Sequence, residues 1–248
     1  MVNPVFIGMV YELIIIIIGA ILLVLILNKY SVKRNRPTLY LFVIYLNLVM
    51  AIVFSWFSKI IVLTTDLDYV YNQPGIRYPT SPVEWLFFRI IDFRISIVFA
   101  AIGVIFSYLL NIEIFQEFNP IHRILVFLFG AYSIIFAIFV YERGNTLLDA
   151  INFMNILVFL AAIYITFTNR LIKAYKESTE SIYKNAFLSL AIMSISFILT
   201  FIFVLIDRIT IIMGSQGFTF FYFLAWSFVI IGFLGAYLGY VRPKASES

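Results

Sequence analysis

Seven long apolar stretches, separated by short polar or proline-containing segments, limit what this chain can fold into. A helix needs about 20 mainly apolar residues to cross the hydrocarbon core of a bilayer. Transmembrane helices are therefore predicted over residues 5–28, 39–63, 83–112, 121–141, 147–168, 186–206 and 218–241. Composition agrees, since 63% of the 248 residues are hydrophobic, 12% are charged and the mean hydropathy is +1.04. The sequence predicts an all-α membrane protein, a seven-transmembrane-helix bundle forming a single domain over residues 1–248 with no soluble domain.

Basic residues are distributed unevenly between the two sets of loops. One set, together with the end of the chain, carries most of them: Lys29, Lys33, Arg34, Arg36, Arg170, Lys173, Lys176, Lys184, Arg242 and Lys244. The other set balances arginines with acids: Arg77, Arg143, Arg208, Asp66, Asp68, Glu142 and Asp207. Because cytoplasmic loops are enriched in Lys and Arg, the N-terminus is predicted outside and the C-terminus in the cytoplasm of a multi-pass protein of the cell membrane. The longest loop, 64–82, contains three prolines and is predicted to form an ordered turn or short hairpin over the outer end.

The third predicted helix carries charged residues in its first third. On a helical wheel at 100° per residue, one stripe holds Arg89, Asp92, Ser96, Ala100, Gly103, Ser107 and Asn111. An ionised group that faces lipid costs at least about 2.5–3.5 kcal/mol, so this stripe is predicted to face other helices or water. Asp92 lies one turn beyond Arg89, which predicts an ion pair within the helix.

Further polar residues fall in the same, outer half of the predicted bundle. Asn152 and Asn155 continue the polar face of the fifth helix from Asp149 at i+3 spacing. The pattern predicts a polar cavity open to, or just beneath, the outer surface, where carboxylates balance basic groups. Its candidate residues are Glu12, Lys59, Arg89, Asp92, Ser96, Asp149, Asn152, Asn155, Tyr222 and Trp226. The alternative for Lys59 and Arg94 is that their long side chains reach out to lipid headgroups.

The inner half of the last helix shows a different pattern. Gly232, Gly235 and Gly239 include a Gly-xxx-Gly step, which lets helix backbones approach closely. These glycines are predicted to serve helix packing and not ligand binding. The sequence therefore predicts a bundle that is polar in its outer half and tightly packed in its inner half.

The residue inventory excludes several kinds of site. There is no cysteine, and His122 is the single histidine, so disulfides, thiolate metal centres and bis-histidine haem are excluded. No HExxH motif and no glycine-rich phosphate loop is present. No catalytic residue and no metal site is therefore predicted, and the chain is not expected to be an enzyme. The net charge of +4 resides largely in loops that set orientation, so a nucleic-acid partner is not expected.

Residues 89–96 carry a resemblance to a known family. The segment Arg89-Ile-Ile-Asp92-Phe93-Arg94-Ile-Ser96 is similar to the Arg-x-x-Asp-Trp-x-x-Thr motif of microbial rhodopsins. The resemblance implies the seven-helix fold and a position for Asp92 like that of the retinal counterion. The last predicted helix, 218–241, contains neither lysine nor aspartate, and the sixth lacks the Trp and Pro residues of the retinal pocket. The resemblance therefore implies an opsin-like protein without a retinal Schiff base in that helix.

Three functions are compatible with these patterns. The favoured one is a sensor or receptor-like bundle whose outer cavity binds a small ligand or ion, and whose basic segments 29–36 and 170–184 meet a cytoplasmic protein. The second is a proton, ion or small-solute transporter or channel that uses Glu12, Asp92 and Asp149. The third is a non-catalytic subunit of a membrane complex. The bilayer is the expected environment, and self-association into a homo-oligomer is left open.

Overall fold

A computed structural model describes residues 3–75, 77–116 and 119–241 as a helical bundle. Within these residues there are eight α-helices: α1 Pro4–Lys33, α2 Arg36–Thr64, α3 Pro82–Ile91, α4 Arg94–Phe115, α5 Pro120–Phe139, α6 Thr146–Glu177, α7 Ser181–Ile212 and α8 Phe220–Ala236. A π-helical turn, Tyr237–Val241, extends α8. All except α3 are long and apolar enough to cross a bilayer, α8 together with its extension. The prediction of seven helices long and apolar enough to span a membrane is confirmed, whereas Arg242 and Lys244 lie outside the described residues.

Polar caps and prolines fix where several helices begin. The side chain of Asn3 accepts a hydrogen bond from the backbone N–H of Val5, and that of Asn35 accepts one from Thr38. Ser81 caps α3 in the same way. In each case a proline occupies one of the first two helical positions, where its missing N–H is not needed. Local sequence therefore sets these boundaries independently of packing.

The predicted third helix is broken into α3 and α4. Asp92 ends α3, and Phe93 adopts a left-handed backbone conformation with φ 61°, which costs a residue with a Cβ about 1–2 kcal/mol. The break turns Arg94 into the interior, where it is fully buried and bonded to Asp149. Arg89, Asp92 and Ser96 therefore do not form the continuous helical stripe that was predicted, because side-chain pairing in the core overrides the regular helix.

Helices α6 and α7 are longer than predicted. They were expected over 147–168 and 186–206, with the charged segment 170–184 between them as a loop. In the structure only residues 178–180 separate them, because Lys, Arg and Glu favour helices; Lys173 and Glu177 form an exposed i,i+4 contact of 3.9 Å. At the other end, α7 includes Asp207 and Arg208, which the sequence pattern places in a loop.

The helices form a closed ring. Neighbours in the ring are α1 with α2, α2 with α4, α4 with α5 and α6, α6 with α7, α7 with α8, and α8 with α1. Segments 65–81, 140–145 and 213–219 lie at one end, called here the long-loop end, and the shorter segments 34–35 and 178–180 lie at the opposite, short-loop end. Helices α1 and α5 are the least buried of the seven spans, so they present the most apolar surface to lipid.

The described residues of the loop, 65–75 and 77–81, lie over the long-loop end and contain no β-strand. The backbone N–H of Asn72 donates to the Thr146 hydroxyl, and its side-chain N–H donates to the carbonyl of Ile211, both at 2.8 Å. Gly144 has φ +80° and packs so closely on Gln73 that an added Cβ would lie 2.2 Å from its carbonyl oxygen. The predicted ordered turn over the bundle is present, but residues 65–75 and 77–81 do not form the hairpin alternative.

Candidate functional site

Every buried charged side chain of the described residues belongs to the long-loop half of the bundle. The set comprises Glu12, Lys59, Arg89, Asp92, Arg94, Arg143, Asp149, Asp207 and Arg208. Burial of an ionised group is tolerated only when it is paired or hydrogen-bonded. The partners of each group therefore show which charged side chains are fully engaged within the protein and which remain available to bind a ligand.

Glu12 and Lys59 form a fully buried ion pair between α1 and α2. The Lys59 ammonium lies 2.9 Å from both carboxylate oxygens. Oxygen Oε1 also accepts hydrogen bonds from the Ser55 and Tyr222 hydroxyls, at 2.7 Å each. Gly8 leaves room for the lysine stem, because a Cβ there would lie 3.3 Å from Lys59 Cε. Lys59 therefore points into the bundle and does not reach the headgroups.

A second network joins α4, α6 and the 140–145 segment. The Arg94 guanidinium donates to Asp149 Oδ1 at 2.5 Å and to the carbonyl of Val140 at 3.5 Å. The Tyr141 hydroxyl donates to Asp92, which lies between α3 and α4 and outside the seven spans. Burial, reinforced by the negative charge of Asp149, raises the pKa of the Asp92 carboxyl to about 7. The ion pair fixes the buried start of α4.

Arg89 is not paired with Asp92, contrary to the prediction. Its Nε donates to the carbonyl of Ile138 at 2.9 Å, and its guanidinium stacks over the Trp85 ring at 3.6 Å. The break at Phe93 accounts for this difference, because Asp92 leaves the helix that carries Arg89 and turns to Tyr141. Arg89 thus attaches α3 to α5.

Asp207 and Arg208 are buried residues that the sequence analysis missed as site residues. Asp207 Oδ1 accepts hydrogen bonds from the backbone N–H and hydroxyl of Thr219, so it fixes the turn before α8. Its Oδ2 lies 3.6 Å from Arg208 Nη2. An adjacent acid and base near the end of an apolar segment is typical of a loop, which is why the sequence analysis places them outside the helix. The mainly apolar Ile-Thr-Ile-Ile run that follows them indicates a longer helix.

A cavity of about 110 Å³ lies between α2, α4, α6, α7 and α8. Its wall is mainly aromatic and aliphatic and includes Phe93, Phe153, Phe197, Phe201 and Phe233. Of the predicted residues, Ser96, Tyr222 and Trp226 line it. The other predicted residues are not among those lining it: Glu12, Lys59, Arg89, Asp92, Asp149, Asn152 and Asn155. The predicted polar cavity is therefore an apolar one, since the carboxylates are engaged with partners around it.

Three groups that line this cavity have unused hydrogen-bonding capacity. Ser96 Oγ, Trp226 Nε1 and Arg208 Nε are buried and have no hydrogen-bond partner. All three can donate a hydrogen bond to a ligand oxygen. The other hydroxyls on the wall are occupied, since Tyr222 and Ser55 bond to Glu12 and Thr200 bonds to the Ser196 carbonyl. The cavity can therefore hold an apolar molecule that bears an acceptor.

Asn152 and Asn155 lie on α6, away from the cavity wall. Asn152 is 1% exposed, and its Oδ1 and the Nδ2 of Asn155 lack hydrogen-bond partners. They follow the predicted polar face of the helix, but neither residue is among those lining the cavity.

The short-loop half is held by close contacts. A Cβ on Gly232 would lie 2.7 Å from Phe197, one on Gly235 would lie 2.8 Å from the Ser189 carbonyl, and one on Gly239 would lie 2.7 Å from Leu190. All three glycines thus face α7. A second cavity in this half, bordered by Ser107 and Tyr164, measures only about 10 Å³, which is room for one water at most.

Comparison with known proteins gives no relative: no family model, no curated protein and no solved structure matches this chain. The account of its function therefore rests on the site itself.

Proposed function

We propose that this protein is a receptor-like integral membrane protein that binds a small ligand in the aromatic cavity of its long-loop half. The observation that supports this is the combination of an apolar wall with unpartnered donors from Ser96, Trp226 and Arg208. Ligand pockets are mainly apolar with a few convergent polar groups that fix orientation. Seven apolar helices provide the membrane anchor.

The proposed orientation places the long-loop end outside the cell. The short-loop end carries the basic segments 29–36 and 170–184, as expected for cytoplasmic loops. A ligand then enters from outside, and a cytoplasmic protein contacts the basic segments. The charged ends of α6 and α7, which extend to Glu177 and begin at Ser181, provide helical surface for that contact.

The packing of the short-loop half favours a receptor over a transporter or channel. A path for solute would have to pass this half, where Gly19, Gly232 and Gly239 are in close contact with neighbouring helices. The buried hydroxyls of Ser107 and Tyr164 are bonded to each other at 2.8 Å. The apolar exposure of α1 and α5 is explained by lipid and needs no further subunit.

Ligand binding is tested with a variant in which Trp226 is the only tryptophan. Trp56→Phe and Trp85→Phe remove the other two, and the protein in nanodiscs is titrated with benzoate, benzamide and benzylamine. At least one of these single-ring probes should change the Trp226 emission in a saturable way. Ala100→Leu fills the cavity wall and should abolish the change, whereas Ala131→Leu on the exposed side of α5 should leave it intact. Linear responses to all three probes would refute the proposed binding site.

The receptor role has its own readout. Probe binding should alter amide hydrogen exchange in residues 170–184 at the short-loop end, which begins about 20 Å along α7 from Phe197 on the cavity wall. Binding without any such change would contradict the receptor role, although the protein would still be a ligand-binding protein. Passage of the probe across proteoliposomes, lost in Ala100→Leu, would instead establish a transporter.

The same proposal assigns no retinal to the protein. The opsin-like resemblance would place a counterion at Asp92, but Asp92 binds Tyr141 and is not among the residues lining the cavity. Lys59 is the buried lysine among the described residues, and its amine is bonded to Glu12 and Ser55. Added all-trans-retinal should therefore give no red-shifted absorbance; a shifted band that Lys59→Met removes would overturn this assignment.

A further inference from the structure

Among the buried side chains of the long-loop half, cations outnumber carboxylates. Among the described residues, five buried cations, Lys59, Arg89, Arg94, Arg143 and Arg208, face four buried carboxylates, Glu12, Asp92, Asp149 and Asp207. Lys59 and Arg94 have a carboxylate oxygen within 2.9 Å. Arg89 and Arg143 are held by backbone carbonyls instead. A surplus positive charge away from water is costly unless an anion accompanies it.

Arg208 is the one of these five buried cations that is among the residues lining the cavity. It is 5% exposed, lines the cavity and has no acceptor for its Nε. Its nearest carboxylate oxygen, on Asp207, is 3.6 Å from Nη2, and the other oxygen of that carboxylate is occupied by Thr219. The Phe93 and Phe153 rings flank the guanidinium at 5.1 and 5.5 Å. The guanidinium, whose N–H donors lie in its plane, thus borders a low-dielectric cavity, which suits a carboxylate.

The cavity extends from this charge into an apolar region. Arg208 and Phe197 both line it on α7, and 11 residues of helix span about 16 Å. Between them Ser96 and Trp226 provide the further donors, and Phe233 belongs to the apolar part. The volume of about 110 Å³ is of the same order as a cavity of about 150 Å³ that accepts benzene in an engineered protein.

We infer that the ligand is a small organic anion, a monocarboxylate with a compact apolar body of about one ring, whose carboxylate binds Arg208 and whose body lies among the phenylalanines. This inference rests on the proposed function and specifies the ligand class for its site. An inorganic anion would satisfy Arg208 but would leave the apolar part of the cavity unfilled. A neutral molecule would fill the apolar part but would add no negative charge to that of Asp207, which lies 3.6 Å from Arg208 Nη2.

The test compares three probes of one shape on the complete protein in nanodiscs at pH 7.5, by isothermal titration calorimetry. Benzoate is the anion, benzamide its neutral counterpart and benzylamine the cation. Benzoate should bind at least about tenfold more tightly than benzamide, since hydrogen bonds to charged groups are the stronger ones, and benzylamine should not bind. Arg208→Gln should weaken benzoate about tenfold or more and leave benzamide within about twofold. Arg89→Gln removes a buried cation that does not line the cavity and serves as the matched control.

The outcomes separate the ligand class from the site itself. Equal binding of benzamide and benzoate, or a loss of benzoate that is the same in Arg89→Gln and Arg208→Gln, overturns the inference while the ligand site remains. No binding of any probe to the folded wild type overturns both. If chloride competes fully with benzoate and binds Arg208 without it, the anion is inorganic and the inference fails. Arg208→Lys provides the second variant if Arg208→Gln does not fold, and it should keep the preference for benzoate at reduced affinity.

Discussion

The two halves of the bundle use opposite means to hold seven helices together. The long-loop half joins them through buried ion pairs, Glu12 with Lys59 and Arg94 with Asp149. The short-loop half joins them through close contacts at glycines such as Gly232 and Gly235. Ion pairs need space and orient their partners, whereas glycine contacts eliminate space. The difference explains why the cavity of about 110 Å³ lies in the charged half, whereas the cavity in the closely packed half measures only about 10 Å³.

The largest expected effect comes from breaking the Glu12–Lys59 pair. Lys59→Met leaves Glu12 as an uncompensated buried carboxylate and should lower the free energy of unfolding by about 3–5 kcal/mol. Unfolding in a mixed-micelle denaturant titration measures this. The double variant Glu12→Gln, Lys59→Met should recover part of the loss, and equal losses in the single and double variants would show that the pair is not what stabilises this half.

Asp92 gives the next effect, on the pH dependence of stability. Its pKa is about 7 in the folded protein against about 3.9 in an unfolded chain. Between these values the folded state binds more protons, so this carboxyl makes stability fall as pH rises from about 4 to 7, by up to about 1.4 kcal/mol per pH unit.

The Asp92 contribution is isolated by comparison with Asp92→Asn. Thermal unfolding in detergent across this pH range should show a flatter slope in the variant than in the wild type. Identical slopes would mean that Asp92 titrates as an ordinary exposed carboxyl, and that burial next to Asp149 has no energetic consequence.

Close packing in the short-loop half predicts a moderate effect. In Gly235→Ala the new methyl group would lie 2.8 Å from the Ser189 backbone carbonyl, and such overpacking costs about 1–3 kcal/mol. Probe binding to the cavity should not change, because Gly235 is not among the residues lining it. Chemical denaturation together with a benzoate titration checks both statements. A loss of binding at unchanged stability would contradict the claim that the two halves have separate roles, packing in one and ligand binding in the other.

The smallest effect is expected at the exposed end of α6. Lys173 and Glu177 are 3.9 Å apart and largely exposed, and exposed pairs of this spacing contribute about 0.3–0.5 kcal/mol. Lys173→Ala should therefore change the unfolding free energy by no more than about that amount. A larger loss in lipid nanodiscs would indicate that this segment already contacts a partner or headgroups.

The sequence was sufficient for the membrane class and the spans, because hydropathy over 20 residues is a property of local composition. It was not sufficient for the break at Phe93. No glycine or proline marks that position, and the left-handed backbone there is imposed by distant partners such as Asp149. The pattern of charged residues was informative in a limited way. Glu12, Lys59 and Asp149 are buried, but their partners depend on helix rotation, which sequence periodicity does not fix.

The cavity wall could not be read from the sequence for a different reason. The chain has 28 phenylalanines, and those on the wall have no local feature that sets them apart from those that face lipid. Arg208 was overlooked because a charge near a helix end normally lies at the interface. Only the longer α7 and the packing of Phe93 and Phe153 on its guanidinium show that it faces inward.

The most direct test of the account is a crystal structure with 4-bromobenzoate, located by the anomalous signal of its bromine. The account predicts one bromine site inside the cavity, on the Phe201 side of Arg208, with the carboxylate at Arg208. A bromine site in the cavity with the carboxylate turned away from Arg208 would contradict the ligand class. Bromine confined to the lipid-facing surface, with an unoccupied cavity, would contradict the proposal that the long-loop half binds ligand.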